Sequence, residues 1–521
     1  MGKLKYFILF LITVIFLFLS FYLKFPYLYE WDSVNYVKAT GEFNLFLNQP
    51  HPPGYLGFVL VLKLFISLFN SPLSGFVVLV LFSYIVFALV STLLLKELTR
   101  ICFNTWVYLF FLSVPMVLCH SLVTTIYLTE GATVVCLVFV LLKIFQKKWH
   151  PAFVLLLLIG GLIKTNIPVI LLPLAVYVLF VRIEKKWLRR VIITAFIILN
   201  LFWYFGLNKI VFYYSKAPDH LDALISDYII KDNIFSAYMQ GLGNIAVTLV
   251  KNIKNVLLAL AIQIIPLAII LAVRSGKITV FKFMDRQNRL FIFLWIMPQL
   301  LFVTFLYFPK NGYLLEIIAG ISILVIACFN WEKIEKRVKW IWVVNLLIFF
   351  IPLNIDYFDA KVRVSGADKT FREYAVTQAV RIFETTHSHI RSVKKVYEYY
   401  FSEIKKIGKE GNNLFILNNI VADYRVIPYY LKDFEFLIVQ KEKNNFIVSS
   451  FKNDILSVKL IKRTQPEFVL EGYDNIYLIT STPSAFQENM VEIKNTIYKL
   501  VDDSININGL NIKPLKNKVQ D

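Results

Sequence analysis

Long apolar runs recur through the first two thirds of this 521-residue chain and restrict it to a membrane-embedded fold. A helix that crosses a bilayer needs about 20 consecutive, mostly apolar residues. Charged residues make up only 17% of the chain, against about 25% in typical soluble domains. The sequence therefore predicts an α-helical polytopic membrane protein. The eleven predicted spans are residues 3–23, 74–95, 104–124, 131–146, 151–163, 167–181, 191–211, 246–273, 290–308, 313–329 and 340–355.

The distribution of basic residues predicts the orientation of these spans. Residues 1–355 hold 31 of the 55 Lys and Arg residues but only 14 of the 35 Asp and Glu residues. With the amino terminus in the cytoplasm, 21 of those 31 basic residues fall in six inner loops, as the positive-inside rule requires. The positive charge thus follows membrane topology and does not indicate a nucleic-acid partner. The six loops are residues 3–5, 96–100, 143–148, 182–190, 274–289 and 333–339.

One apolar stretch, residues 55–69, is left out of the spans because it is short and contains Lys63. Counting it as a span would turn the basic loops after it outward, against the charge rule. We therefore expect it to form a helix that lies along the outer membrane interface.

The last 166 residues change in composition, and an odd number of spans places them outside the cell membrane. The short runs LFILNN, EFLIVQ, FIVSS and NIYLITS predict strands, whereas residues 369–406 and 484–500 have helical character. The sequence therefore predicts two regions. Residues 1–355 form the membrane module, with a long first outer loop at 26–73, and residues 356–521 form an extracytoplasmic α/β domain.

The first outer loop carries the most distinctive polar residues, in the segments YLYEWDSVNY and QPHPPGY. A carboxylate such as Glu30 or Asp32, set among aromatic residues at a membrane surface, could remove the proton of a bound hydroxyl group. The alternative is structural: Asp32 and Ser33 would cap a short interfacial helix. The prolines around His51 would then only force an extended entry into the next helix.

The order of WDSVNY, QPHPPGY and a following apolar helix resembles the GT-C-type glycosyltransferases of the protein O-mannosyltransferase-like and aminoarabinose transferase-like superfamily. The resemblance implies a GT-C-like fold of about eleven membrane helices and transfer of a sugar from a polyprenyl-phosphate carrier. It implies that Asp32 is the general base. Ser33 stands where many members have a second acid, so Glu30 is an alternative base. It also implies that His51 and Tyr55 lie beside the carrier phosphate.

Three later segments also resemble this group, and each is predicted to lie on the outer side. They are TTIYLTEG, GGLIKTN and FPKNGYLLE. The resemblance implies that Glu130 is a further catalytic acid and that Lys164, Lys310 and Tyr313 bind substrate. Glu316 departs from the family pattern, which has a proline there. For Glu130 the structural alternative is a favourable interaction with the helix dipole.

These features together predict a membrane glycosyltransferase that inverts the sugar and uses a protein, glycan or lipid acceptor. The four cysteines have no metal-ligand spacing, and His387 and His389 do not share a helix face. No metal or other cofactor is therefore expected, although some relatives with two outer acids use a divalent metal. The alternative function is a multi-span transporter or flippase without glycosyl transfer. Such proteins usually carry inverted repeats and ionisable residues at the midplane.

Overall fold

The computed structural model of the protein divides into two compact units. The first contains Met1–Pro352 and the short segment Arg381–His387, and the second contains Leu353–Val380 and Ser388–Asp521. The structure describes residues 2–45, 49–50, 55–99, 105–187, 190–199, 242–275, 284–306, 310–328, 331–352, 383–409, 411–418, 425–441, 445–453, 455–462, 464, 466–480, 490–494, 496–501, 504–507 and 509–515.

The first unit is helical. Its helices are α1 Gly2–Leu23, α2 Trp31–Gly41, α3 Leu56–Phe69, α4 Pro72–Thr99, α5 Thr105–Ser113, α6 Pro115–Leu122, α7 Tyr127–Phe145, α8 Leu156–Ile163, α9 Ile167–Arg182, α10 Arg190–Leu199, α11 Leu242–Ser275, α12 Arg286–Leu301, α13 Leu315–Ala327 and α14 Trp331–Phe349. Short 3-10 turns cover Pro151–Leu155, Asn311–Leu314 and Phe383–Thr385, and a π-helical turn covers Phe302–Leu306.

Three helices in the described part of the chain are long and apolar enough to cross a membrane: Pro72–Thr99, Tyr127–Phe145 and Arg286–Phe305. The pair α5 and α6 bends by 62° and adds a fourth if it counts as one broken span. The bend falls at Pro115, which has no N–H group to continue a helix, and the N–H of Met116 donates to Gln263 Oε1 at 2.9 Å. The predicted total of eleven spans stays a prediction.

The short apolar stretch at 55–69, within the first outer loop, forms a helix, α3, as predicted. One face, with Phe58 and Leu62, is buried, whereas Leu60 and Leu64 are exposed. Gly57 allows close contact with α8, because a Cβ atom there would lie 2.5 Å from Leu162 Cβ. The placement of α3 along the membrane interface is not tested and stays a prediction.

The second unit contains a seven-stranded sheet in the order β4-β3-β2-β1-β6-β8-β7 and a three-stranded sheet in the order β5-β10-β9. Strand β1 pairs in parallel with β2 and β6, and its side chains are buried on both faces, as is typical of a central parallel strand. The strands are β1 Asn413–Asn418, β2 Glu435–Lys441, β3 Asn445–Lys452, β4 Ile455–Lys462, β5 Glu467–Glu471, β6 Asn475–Thr480, β7 Met490–Lys494, β8 Ile497–Leu500, β9 Ile505–Ile507 and β10 Leu510–Leu515, and the helices are α15 His387–Ile407 and α16 Val426–Tyr430.

The four strands predicted in the tail are confirmed as β1, β2, β3 and β6. The predicted helix over 369–406 is confirmed from His387 onward, and residues 369–382 lie outside the described residues. The predicted helix over 484–500 is wrong where the structure describes it, because β7 and β8 pair antiparallel there. Cross-strand hydrogen bonds around the turn at Thr496 outweigh the weak helical spacing of the apolar residues.

Candidate active site

The start of α2 places the two carboxylates of the first outer loop. Glu30 is the N-cap residue and makes no side-chain capping hydrogen bond, and Asp32 lies in the first turn. Ser33 Oγ donates to the carbonyl oxygen of Thr124. The interpretation of Asp32 and Ser33 as helix caps is therefore wrong: the helix begins at Trp31, before either residue.

Glu30, Asp32 and Lys310 form a group that we call the outer cluster. Lys310 Nζ forms an ion pair with Glu30 Oε2 and lies 3.6 Å from Asp32 Oδ2. The Lys310 side chain is 39% exposed, whereas the side chains of Glu30 and Asp32 are 11% and 13% exposed. The outer cluster thus joins an accessible cation to two shielded carboxylates.

Glu130, Lys164 and Glu316 form a second group, the inner cluster. Lys164 Nζ lies 2.7 Å from Glu130 Oε2 and 3.0 Å from Glu316 Oε1. All three side chains are buried, with exposed fractions of 5% for Lys164, 1% for Glu130 and 0% for Glu316. Such burial is tolerated only when the charges pair closely.

Three elements bring the inner cluster together. Glu130 lies in the first turn of α7, Glu316 lies in the first turn of α13, and Lys164 lies in the turn between α8 and α9. Burial lowers the pKa of Lys164, but the negative charges of Glu130 and Glu316 outweigh that effect and raise the pKa above its usual value. The raised pKa favours the charged form of Lys164, which two carboxylates share.

A pair of tyrosine rings links the two clusters. Lys164 Nζ lies 4.1 Å from the centre of the Tyr313 ring, which is 5.4 Å from the centre of the Tyr127 ring. Lys310 Nζ lies 6.0 Å from the centre of the Tyr127 ring. The two distances from a lysine to a ring centre are within the range of cation–π interactions. One short segment, residues 310–316, thus contributes Lys310 to the outer cluster and Tyr313 to the contact with Lys164.

Hydrogen bonds from neighbouring helices fix this segment. Gln299 Nε2 donates to the carbonyl oxygen of Tyr313 at 3.0 Å, and Trp295 Nε1 donates to that of Glu316 at 3.1 Å. Beside Lys310, Asn311 Nδ2 donates to Glu384 Oε2 at 3.1 Å. Sequence reasoning had no signal for Glu384, because the pairing joins residues 73 positions apart.

The second motif of the first loop meets α2 through aromatic contacts. Tyr55 packs edge to face against Tyr36 with ring centres 5.6 Å apart. Burial raises the pKa of Tyr36 well above its usual value, and the electrostatic effects of Tyr55, Asp32 and Glu130 raise it further. This phenol is therefore neutral. His51 lies outside the described residues, and its predicted contact with phosphate stays a prediction.

The structure therefore places most of the predicted site residues in two neighbouring groups. Glu30, Asp32 and Lys310 meet in the outer cluster, and Glu130, Lys164 and Tyr313 meet in or beside the inner cluster. Within the described part of the chain, no three His, Cys, Asp or Glu residues form a group that could hold a metal ion. The expectation of no metal stays a prediction, as do the roles of the individual residues.

Comparison with known proteins gives a structural match only. No family model and no curated protein matches the sequence. Two crystal structures of ArnT from Cupriavidus metallidurans match the fold, each with a TM-score of 0.51 and 14% sequence identity. The apo structure matches 84% of this chain and 86% of ArnT, and the structure bound to undecaprenyl phosphate matches 85% and 87%. The chain therefore has the same fold as ArnT, as the resemblance of its first loop to the aminoarabinose transferase-like superfamily predicts.

Proposed function

We propose that the protein is a membrane glycosyltransferase. It moves a sugar from a polyprenyl-phosphate carrier to an acceptor hydroxyl group on the extracytoplasmic side. The observation that carries this proposal is the outer cluster, in which an accessible lysine lies beside two carboxylates. The fold supports it, because an ArnT structure with the same fold is bound to undecaprenyl phosphate.

The reaction is a single displacement. A carboxylate removes the proton of the acceptor hydroxyl group, and the hydroxyl oxygen forms a bond to the anomeric carbon of the sugar. The bond between that carbon and the phosphate oxygen breaks, and polyprenyl phosphate leaves with the electron pair. The anomeric configuration inverts. The protein must therefore supply a base and a cation that stabilises the growing charge on phosphate.

Lys310 is the better candidate for the phosphate-binding cation. Its side chain is accessible and lies within 3.6 Å of Asp32. Lys164, which the resemblance also implies as a substrate-binding residue, is buried and lies close to two carboxylates. An incoming phosphate would have to displace both carboxylates from Lys164, whereas Lys310 can meet phosphate from the accessible side. We therefore assign the phosphate contact to Lys310.

Asp32 is the better candidate for the general base. Glu30 forms the direct ion pair with Lys310, whereas Asp32 approaches Lys310 less closely, at 3.6 Å. A carboxylate held tightly by an ammonium ion accepts a further proton less readily. In this assignment Glu30 orients Lys310 and Asp32 takes the proton. Burial of Glu130 against Lys164 supports a role for Glu130 in holding Lys164 in place.

The proposal is tested by measuring undecaprenyl phosphate released from a panel of undecaprenyl-phosphate hexoses and pentoses, with purified protein and cell-envelope fractions as acceptor. Asp32→Asn keeps the size of the side chain but removes the base, so turnover should fall by about 100-fold or more. Binding of undecaprenyl phosphate should survive this change. Glu30→Gln should reduce turnover less.

The matched control is Glu97→Gln. Glu97 also accepts from two lysines, Lys143 at 2.8 Å and Lys148 at 3.0 Å. Lys143 lies 13 residues after Glu130 on α7, which corresponds to about 20 Å along the helix axis. Glu97→Gln should therefore leave turnover unchanged.

Two results would change the proposal. Normal turnover of Asp32→Asn together with inactive Glu30→Gln would reassign the base within the same reaction. Movement of the lipid-linked sugar across the bilayer without cleavage, in a protein that releases no undecaprenyl phosphate, would identify a flippase.

A further inference from the structure

Glu316 is the one carboxylate of the two clusters that departs from the family pattern. We infer that Glu316 is a positioning residue: it acts on the phosphate-binding Lys310 through the segment of residues 310–316, with Lys164 as its fixed counter-ion. The inference rests on the proposed function, in which Lys310 contacts the carrier phosphate.

The charged side chains at the two ends of this segment belong to different clusters. Lys310 at one end pairs with Glu30 in the outer cluster, and Glu316 at the other end pairs with Lys164 at 3.0 Å in the inner cluster. Only five residues separate these two charges along the chain, and Asn311–Leu314 forms a tight 3-10 turn between them. A shift at Glu316 is therefore passed to Lys310 over a short and regular piece of backbone.

The packing between the two ends leaves little room for independent movement. Gly312 lies against the Tyr127 ring, since a Cβ atom there would be 2.5 Å from Tyr127 Cδ2. The Tyr313 ring lies 4.1 Å from Lys164 Nζ. Lys164 thus holds the segment at two points, through the carboxylate of Glu316 and through the ring of Tyr313.

Neutralising Lys164 does not require Glu316. Glu130 already pairs with Lys164 at 2.7 Å, so Glu316, at 3.0 Å, is a second carboxylate on the same lysine. Buried ionic groups are costly, and their best-attested use is to fix one register or arrangement. Glu316 therefore serves to fix α13 and the preceding segment against α7, α8 and α9.

A double-mutant cycle distinguishes positioning from a general effect on the fold. The probe is undecaprenyl phosphate, and its affinity is measured for the full-length protein in lipid nanodiscs. Lys310→Met should weaken binding by about 10- to 100-fold through loss of a charged contact. Glu316→Gln alone should weaken binding by about fivefold to tenfold. The double variant should bind no more weakly than Lys310→Met, because Glu316 acts through Lys310.

Two outcomes separate the possibilities. Losses that add in the double variant would overturn the positioning role of Glu316 while leaving Lys310 as the phosphate ligand. Normal binding by Lys310→Met would overturn the phosphate assignment of the proposed function, and this inference with it. If Glu316→Gln does not fold, Glu316→Asp, which keeps the carboxylate but shortens its reach to Lys164, takes its place in the cycle. Glu97→Gln is the control and should bind like the unmodified protein.

Discussion

Substitution of Gly312 by alanine tests the close contact between Gly312 and the Tyr127 ring, which lies between the two clusters. The added methyl group would lie 2.5 Å from Tyr127 Cδ2 and 2.8 Å from Tyr127 Cβ, with Cγ closer still. Either the Tyr127 ring or the segment that carries Lys310 must move. Because Tyr127 also packs on Tyr313, the movement will disturb contacts on both sides of the glycine.

The expected magnitude follows from overpacking. Extra methyl groups in close-packed interiors typically cost about 1 to 3 kcal/mol, and the disturbed aromatic pair contributes about 0.5 to 1.5 kcal/mol. Gly312→Ala should therefore lower the midpoint of thermal unfolding and weaken binding of undecaprenyl phosphate. Gly41→Ala is the matched control, because a Cβ atom at Gly41 would meet nothing within 4 Å. It should melt at or slightly above the midpoint of the unmodified protein.

A second substitution shows whether contact with the Tyr127 ring causes the loss of stability in Gly312→Ala. Tyr127→Leu removes the ring that meets the added methyl group, so Gly312→Ala should cost less stability in that background than alone. The reasoning is refuted if Gly312→Ala melts and binds like the unmodified protein. It is also refuted if the stability losses of Gly312→Ala and Tyr127→Leu simply add.

Two further predictions concern the rest of the molecule. If the charge rule sets the topology, a cysteine at Ser71 should react with an impermeant thiol reagent in intact cells and one at Lys148 should not; the reverse labelling pattern would contradict the orientation. In the C-terminal unit, burial and the hydrogen bond from Tyr473 to Glu435 raise the pKa of Tyr473 above its usual value of 10. The folded state therefore keeps a proton that the unfolded chain loses, so stability present below pH 10 should decline as pH rises above about 10. Tyr473→Phe should flatten that decline in a pH series of unfolding midpoints, and an unchanged slope would exclude Tyr473 as its source.

Local patterns in the sequence are sufficient to predict the residue types of the site. Glu30 and Asp32 are candidates because carboxylates among aromatic residues at a membrane surface could act as a base, and Lys310 is a candidate because its segment resembles the family pattern. Their pairing is not predictable in this way, since Lys310 and Glu30 are 280 positions apart. The helix that carries Asp32 begins two residues earlier than it would with Asp32 as its N-cap. This small shift moves Asp32 from a cap into the first turn.

The inner cluster shows a different limit. Glu316 stands out in the sequence only as a departure from the proline of the family pattern, and nothing near it indicates Lys164, 152 positions away. Burial of a charge depends on partners from other helices, which periodicity along one helix does not report. In the tail, residues 490–500 have acceptable spacing for either helix or strand, and pairing of β7 with β8 decides the outcome.

The stretch of chain that follows the bent helices α5 and α6 has a consequence for how such proteins diverge. Phe25, just before the first outer loop, donates its N–H to the carbonyl oxygen of Leu122, the last residue of α6, at 2.8 Å, and Ser33 Oγ in that loop donates to the carbonyl oxygen of Thr124, two residues further on. Both acceptors are main-chain atoms that every residue type supplies. The side chain at position 122 can therefore change without loss of its hydrogen bond, whereas Thr124 also accepts the N–H of Tyr29 through Oγ1 at 3.0 Å and is restricted to side chains with an acceptor. An attachment through main-chain atoms allows one fold to form from sequences that share only 14% of their residues.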